Sequence, residues 1–156
     1  MTEVSFTAEV VCRCGYLTNS FARWLRRPLL ANMPSDPLAL TRALYELDAV
    51  LVSHGTQADP VFWFANRAAQ RLWDMDWKTF TTLPSRLSAE PDEQSARAQL
   101  LSRATRDGFI SDYTGVRVSS KGQRFRIRDV VLWNIRDDHD QPAGQAALFS
   151  QWDLLA

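Results

Sequence analysis

Val61-Phe62-Trp63-Phe64-Ala65-Asn66-Arg67-Ala68-Ala69 changes period at its centre. The first five residues are aromatic and β-branched in the manner of a strand. Asn66 then fits the N-cap of a short helix, Arg67 to Trp73, because its amide oxygen can accept from N–H groups the first turn leaves unpaired. Upstream, Val50-Leu51-Val52 reads as a strand. The turn-rich Gly55-Thr56-Gln57-Ala58-Asp59-Pro60 joins it to the next strand as a hairpin. Downstream, Trp77 to Phe80 suggests one more helical turn. Beyond the loop 83–90, Pro91 with Asp92 and Glu93 makes an acidic helix start, and that helix runs to Arg106, with Ala96, Leu100 and Ala104 as its buried line and Gly108 as its stop.

The last third reads as sheet. Phe109 to Val118 and Gln123 to Ile135 flank Ser119-Ser120-Lys121-Gly122, a hairpin turn in which glycine supplies the positive φ. Strict alternation puts Phe125, Ile127, Val131, Trp133 and Ile135 on one face of the second strand and Arg124, Arg126 and Arg128 on the other. Gly144 to Trp152 is a final strand after the loop 137–142.

Toward the N-terminus, residues 1–12 show no stable period. Phe21, Trp24, Leu25 and Leu29 recur at helical spacing among Arg23, Arg26 and Arg27, a short amphipathic helix. Asp36-Pro37 is an N-cap followed by proline at the first helical position, opening a helix to about Leu47 striped with Leu40, Ala43, Leu44 and Leu47. Helices, strands, helices, strands in that order make an α+β fold. The simplest packing is a five-stranded antiparallel sheet with helices on one face. The expected division is an N-terminal extension, 1–35, and a domain, 36–156.

A chain of 156 residues, 46% hydrophobic with six tryptophans and eight phenylalanines, buries one sizeable core rather than two. Eighteen basic and eighteen acidic residues cancel, so no net field favours a polyanion or a membrane surface. No apolar run approaches the roughly 20 residues of a membrane span and no secretory signal opens the chain, so a cytoplasmic location is expected. Cys12 and Cys14 are half of a structural zinc set, and His54 and His139 lie far away in sequence, so no metal is expected and both thiols read as reduced. His54, at a strand end, and His139, in a loop, read as solvated imidazoles.

The order of elements resembles that of PAS domains, and 61–69 resembles their second strand and helix opening. More closely, Phe62-Trp63-Phe64-Ala65-Asn66, Leu83-Pro84-Ser85-Arg86-Leu87-Ser88-Ala89-Glu90-Pro91 and Gly144-Gln145-Ala146-Ala147-Leu148-Phe149 resemble the bacterial stand-alone MEKHLA family, over roughly Asp36 to Trp152. The hexapeptide that names the family is absent. The resemblance implies a PAS-like fold and a sensory or regulatory role, since plant members of the family end class III homeodomain and leucine-zipper transcription factors. For the bacterial members it supplies no activity.

PAS domains hold haem, flavin or small metabolites between sheet and helices. A haem anchor would be a histidine on the long helix, and 92–106 contains none. A photochemical flavin would want a cysteine near the helix cluster, and none follows Cys14. No cofactor is expected, which leaves an unidentified small ligand. Asp129 asks for an explanation, because alternation puts its carboxylate among Phe125, Ile127, Val131 and Trp133, where an unpaired charge is costly. Either a β-bulge or an arginine pair accounts for it, or it orients a ligand in a PAS cavity with Tyr113, Trp133 and Gln145. Arg86, Ser88 and Glu90 are candidates for the pocket rim, with capping and loop hydrogen bonds as the competing account.

PAS domains commonly dimerise through an N-terminal helix, so Phe21, Trp24 and Leu25 are the candidate dimer surface; alternatively that helix caps its own sheet. The arginine stripe 124, 126, 128 fits a solvated face with acidic partners. It lacks the interleaved aromatics of a nucleic-acid platform. Neither a nucleophile elbow, a phosphate-cradling glycine loop nor a His-x-x-x-His pair occurs, so an enzyme is not expected. The alternative is a small α+β pocket enzyme using Asp129 as acid or base.

Overall fold

The computed structural model describes residues 4–90, 98–100, 102–104 and 106–156. Its architecture starts from local caps. Thr7, Asp36, Asn66 and Asp76 each accept from a first-turn N–H, opening α1 (Ala8–Leu25), α2 (Pro37–Tyr45), α3 (Arg67–Trp73) and α4 (Trp77–Phe80). The first helix therefore begins well before the stretch whose periodicity is legible. A 3₁₀ turn follows at Ser85–Ser88. Residues 98–100, 102–104 and 106–107 are helical; the expected helix start at Pro91, Asp92 and Glu93, and Ala96, lie outside the described residues.

Asn66 does more than cap. Its side chain is fully buried, its Oδ1 accepts from Ala69 and Leu51 at 3.1 Å each, and its Nδ2 donates to the carbonyls of Leu44 at 3.2 Å and Ala49 at 2.8 Å. One amide thus ties the end of α2, the first strand and the start of α3. Every donor and acceptor it can offer is spent on backbone that would otherwise be buried and unpaired.

The strands are β1 (Val50–His54), β2 (Phe62–Ala65), β3 (Phe109–Val118), β4 (Arg124–Arg136), β5 (Pro142–Phe149) and β6 (Gln151–Leu154). They form one antiparallel sheet in the order β2-β1-β5-β4-β3, with β6 on β4 beyond the end of β5. The α+β order expected from the sequence stands. The final strand is divided, however, at the exposed Ser150, which gives a sixth strand.

Two hydrophobic clusters lie on the two faces of this sheet. One gathers Val50, Val52, Phe62, Ala69, Trp73, Phe80, Leu100, Phe125, Ile127, Val130, Leu132 and Phe149 beneath α3 and α4. The other joins Cys14, Leu17 and Phe21 of α1 and Leu44 of α2 to Leu51, Trp133, Ile135 and Ala146. Helices lie on one face as expected, and the N-terminal α1 covers the second face, which is the alternative in which it caps its own sheet. Phe21 sits edge-on to Trp133 with ring centroids 4.9 Å apart, and the Trp133 Nε1 donates to the Leu17 carbonyl at 3.1 Å. An aromatic pair of this geometry adds about 1 kcal/mol to what its buried area gives.

The strand β4 serves both clusters because its alternation slips once. Phe125 and Ile127 face the first cluster, and so do Val130 and Leu132, while Trp133 and Ile135 face α1. The slip occurs at Asp129, which has φ +53° and is exposed. It is a bulge: β4 advances three residues from Ile127 to Val130 where β3 advances two, from Gly115 to Tyr113. A compensating extra residue in β3 sits near Asp112, at φ +60°. Across the sheet, Arg128 opposite Gln151 and Val131 opposite Leu148 show that the break at Ser150 keeps step with the bulge.

Candidate functional site

The central portion of β3 is where polar groups enter the interior. Cross-strand register sets Tyr113 against Val130, Gly115 against Ile127 and Arg117 against Phe125, so the three β3 residues share the face of the first cluster. Gly115 has no side chain, and a Cβ there would collide with the Tyr113 hydroxyl and crowd the Arg117 guanidinium. Into that gap Arg117 Nη2 donates to Tyr113 Oη at 3.1 Å, and Nη1 donates to the Val116 carbonyl at 2.9 Å. Arg117 is only 5% exposed. Among the described residues no carboxylate pairs with it.

These side chains line a cavity between the sheet and the helices, of about 40 Å³. That is room for about three waters. Its walls are largely apolar, from Val52, Phe62, Trp73, Leu100, Ile127, Val130, Leu132 and Phe149; its polar lining is Ser53, His54, Ser88, Tyr113, Arg117 and Gln145. Several of the polar groups are committed. Gln145 Nε2 donates to Asn134 Oδ1 at 2.8 Å, and Asn134 Nδ2 donates to the Ala104 carbonyl at 2.7 Å. Ser88 Oγ donates to Ser85 O at 2.7 Å, and Ser53 Oγ donates to Gln145 O at 2.7 Å. His54 Nδ1 lies 3.0 Å from the Gly55 carbonyl. His54 and Gln145 also border a more open cleft of about 260 Å³ lined by Thr56, Gln57, Arg136 and Pro142.

Of the residues singled out from sequence, Tyr113, Gln145 and Ser88 line the cavity. Asp129 does not: of the two accounts expected for it the β-bulge stands and turns it to solvent, and its place in the cavity is corrected. The pocket enzyme built on its carboxylate loses the residue it was built on. Trp133 is likewise corrected, since the same slip sends its ring through to the α1 side. Arg86 is spent on the surface, its Nε 3.1 Å from Asp59, and Glu90 pairs with Arg124 at 2.7 Å. His54 is corrected in the other direction. It is buried at 7% exposure, because β1 lies inside the sheet between β2 and β5.

The candidate dimer surface is also corrected. Phe21 is fully buried on its own sheet, Leu25 packs against the same cluster, and Trp24 donates from Nε1 to the Asn134 carbonyl at 2.9 Å. The Trp24 ring lies over Gly108, where φ is +93° and any Cβ would strike it. The arginine stripe finds acidic partners in part, with Arg128 Nε 2.8 Å from Asp153 and Arg124 on Glu90. Cys12 is exposed and Cys14 buried; burial pushes the Cys14 thiol up to about 12.

Arg117 and His54 are the residues sequence reasoning missed. The run Tyr113, Gly115, Arg117 at strict spacing of two was the available signal, with the cavity face set by Tyr113.

The sequence model described as the MEKHLA domain matches residues 13–154. Homeobox-leucine zipper protein HOX32 of Oryza sativa is 23% identical over 145 residues, covering 88% of this chain but 17% of its own length. The chain thus spans about a sixth of that curated relative. Among solved structures, the PAS domain of a protein from Colwellia psychrerythraea superposes with a TM-score of 0.65 at 13% identity, over 77% of this chain and 98% of that one. An RNA-binding light-oxygen-voltage receptor gives 0.62 at 18% identity, over 79% of this chain and 35% of that one. The light-state dimer of the fungal blue-light photoreceptor Vivid gives 0.60 at 15% identity, over 94% and 95%.

Proposed function

The chain belongs to the MEKHLA domain family and has a PAS-like fold, and on that footing we propose that it is a sensory or regulatory module whose cavity binds a small ligand. Occupancy of the cavity is passed by contact to a protein partner or to a second copy of the chain, without catalysis. The observation that carries the reading is the cavity itself: a buried arginine and a tyrosine hydroxyl set in apolar walls, the usual composition of a small-molecule site. The match to part of a plant homeobox-leucine zipper protein supports a regulatory setting.

Hydrogen-bond donors held in place by strand register suit recognition. Bond-making chemistry needs a nucleophile beside a base, and Ser88 and Ser53 both spend their hydroxyl protons on backbone carbonyls. The test is mass spectrometry of the protein purified from its native host under non-denaturing conditions. A retained small molecule that is lost on denaturation is the expected result. A chain that carries nothing and binds nothing from a metabolite panel would end the ligand reading.

A further inference from the structure

We infer that the ligand of this cavity is a small monocarboxylate, held by Arg117 with Tyr113 beside it. The inference rests on the ligand-binding reading above and adds the chemical class. Arg117 is a cation at 5% exposure with no described carboxylate to pair with. A guanidinium offers about five N–H donors, and two hydrogen bonds, to Val116 O and Tyr113 Oη, are what the described residues accept from it. Tyr113 accepts in that contact, so its own hydroxyl proton is available to donate.

The described lining therefore presents donors and, His54 aside, one full positive charge. The ligand that completes it brings acceptors and one negative charge. A carboxylate meets the planar fork of a guanidinium through two oxygens, which a halide or an amide does not. Size and lining set the remainder. About 40 Å³, room for about three waters, holds a carboxylate with little more than a methyl or ethyl group against Val52, Phe62, Ile127 and Leu132. Apart from the imidazole of His54, Arg117 is the one ionisable cation in the described lining, which matches a monoanion better than a phosphate dianion.

The experiment titrates the full chain, stripped of small molecules by unfolding and refolding, with acetate, propionate, butyrate, propionamide and inorganic phosphate, read by calorimetry and thermal shift. At least one monocarboxylate is expected to bind, with propionate about tenfold tighter than propionamide, the margin of a charge-assisted pair. Arg117→Met is expected to bind the two alike while keeping its circular dichroism and melting no lower than the parent, because it removes a buried charge that no described carboxylate offsets. Should Arg117→Met fail to fold, Arg117→Lys serves in its place: it is expected to keep the carboxylate preference and lose affinity with the fork. Equal binding of propionate and propionamide, tighter binding of phosphate, or a preference that survives Arg117→Met overturns the carboxylate while leaving a cavity that binds ligands. Absence of binding by every probe also overturns it; the ligand reading falls with it only if the native protein carries nothing as well.

Discussion

The Arg117 guanidinium meets the Tyr113 hydroxyl at 3.1 Å over the bare backbone of Gly115. Three residues at a spacing of two, the middle one without a side chain, bring a charge and a phenol together inside the protein. The arrangement works only while the middle position stays empty.

Gly115→Ala is accordingly expected to separate the pair. The added methyl displaces the Tyr113 ring tip, and a hydrogen bond to a charged group is worth about 1.5–3 kcal/mol. Some of this is returned by the reduced freedom of alanine in the unfolded chain. A net loss of about 1–2 kcal/mol in urea unfolding is expected, together with weaker binding of any ligand that the native protein retains. Unchanged stability and unchanged binding would show that the contact does not matter.

Asp129→Gly probes the bulge. At φ +53° an L-residue is strained, though aspartate tolerates the region better than most, and glycine is not strained there. Stability is expected to stay within about 1 kcal/mol of the parent or rise, and ligand retention to be unaffected. Loss of ligand in this variant, by mass spectrometry under non-denaturing conditions, would return Asp129 to the site.

Phe21→Ala tests whether α1 is integral to the fold. Truncating a fully buried phenylalanine costs about 3–5 kcal/mol, here by opening a void against Trp133. Unfolding monitored by tryptophan fluorescence should show that loss. Removing the residues before Asp36 is expected to leave a chain that aggregates or does not fold, by light scattering and circular dichroism. A well-folded monomer would show that the second cluster is dispensable.

Acid should loosen the far end of α1. The hydrogen bond from Arg23 and its positive charge hold the Asp140 carboxyl below its ordinary 3.8, and backbone N–H groups of Gln141 and His139 hold Asp137 down as well. Both groups have folded values below their unfolded ones. Their contribution is thus complete above about pH 4 and is lost as pH falls through the lowered folded values. Between pH 4 and pH 2 the parent should lose more stability than Arg23→Ala, in which the largest causes of the Asp140 shift are removed and only the charge of Arg136 still lowers it. Equal acid sensitivity of the two would remove the 2.7 Å Arg23–Asp140 contact as a cause.

Most of the element order was legible in the sequence, because caps and periods are local. Asp36, Asn66 and Gly108 announce helix ends by their own chemistry, and the consecutive aromatics Phe62, Trp63 and Phe64 need no partner to be read as a strand. Position relative to the sheet was less legible. A carboxylate on an apolar face is the sequence's own hint of a bulge at Asp129, but only cross-strand register establishes it, and it reverses the face of every later β4 residue, so Trp133 lies on the α1 side. The early turns of α1 are illegible for a related reason. Its early residues, such as Cys14 and Leu17, pack against Trp133 and Ile135, more than a hundred positions away. Arg117 is not legible as a cavity residue, because an isolated arginine in a strand looks like solvent-facing charge until cross-strand register is known.

The slip in β4 also determines what can be changed independently. Before it, Ile127 has the cavity on one side and, behind it, only the exposed Arg126 and half-exposed Arg128. After it, Leu132 sits between Val131 and Trp133, both packed on the α1 side. A substitution at 127 that reshapes the cavity disturbs the first cluster but leaves the α1 side alone. At 132 the same substitution also shifts the backbone that anchors α1, so ligand preference and helix attachment can be inherited separately at one end of a single strand and only together at the other.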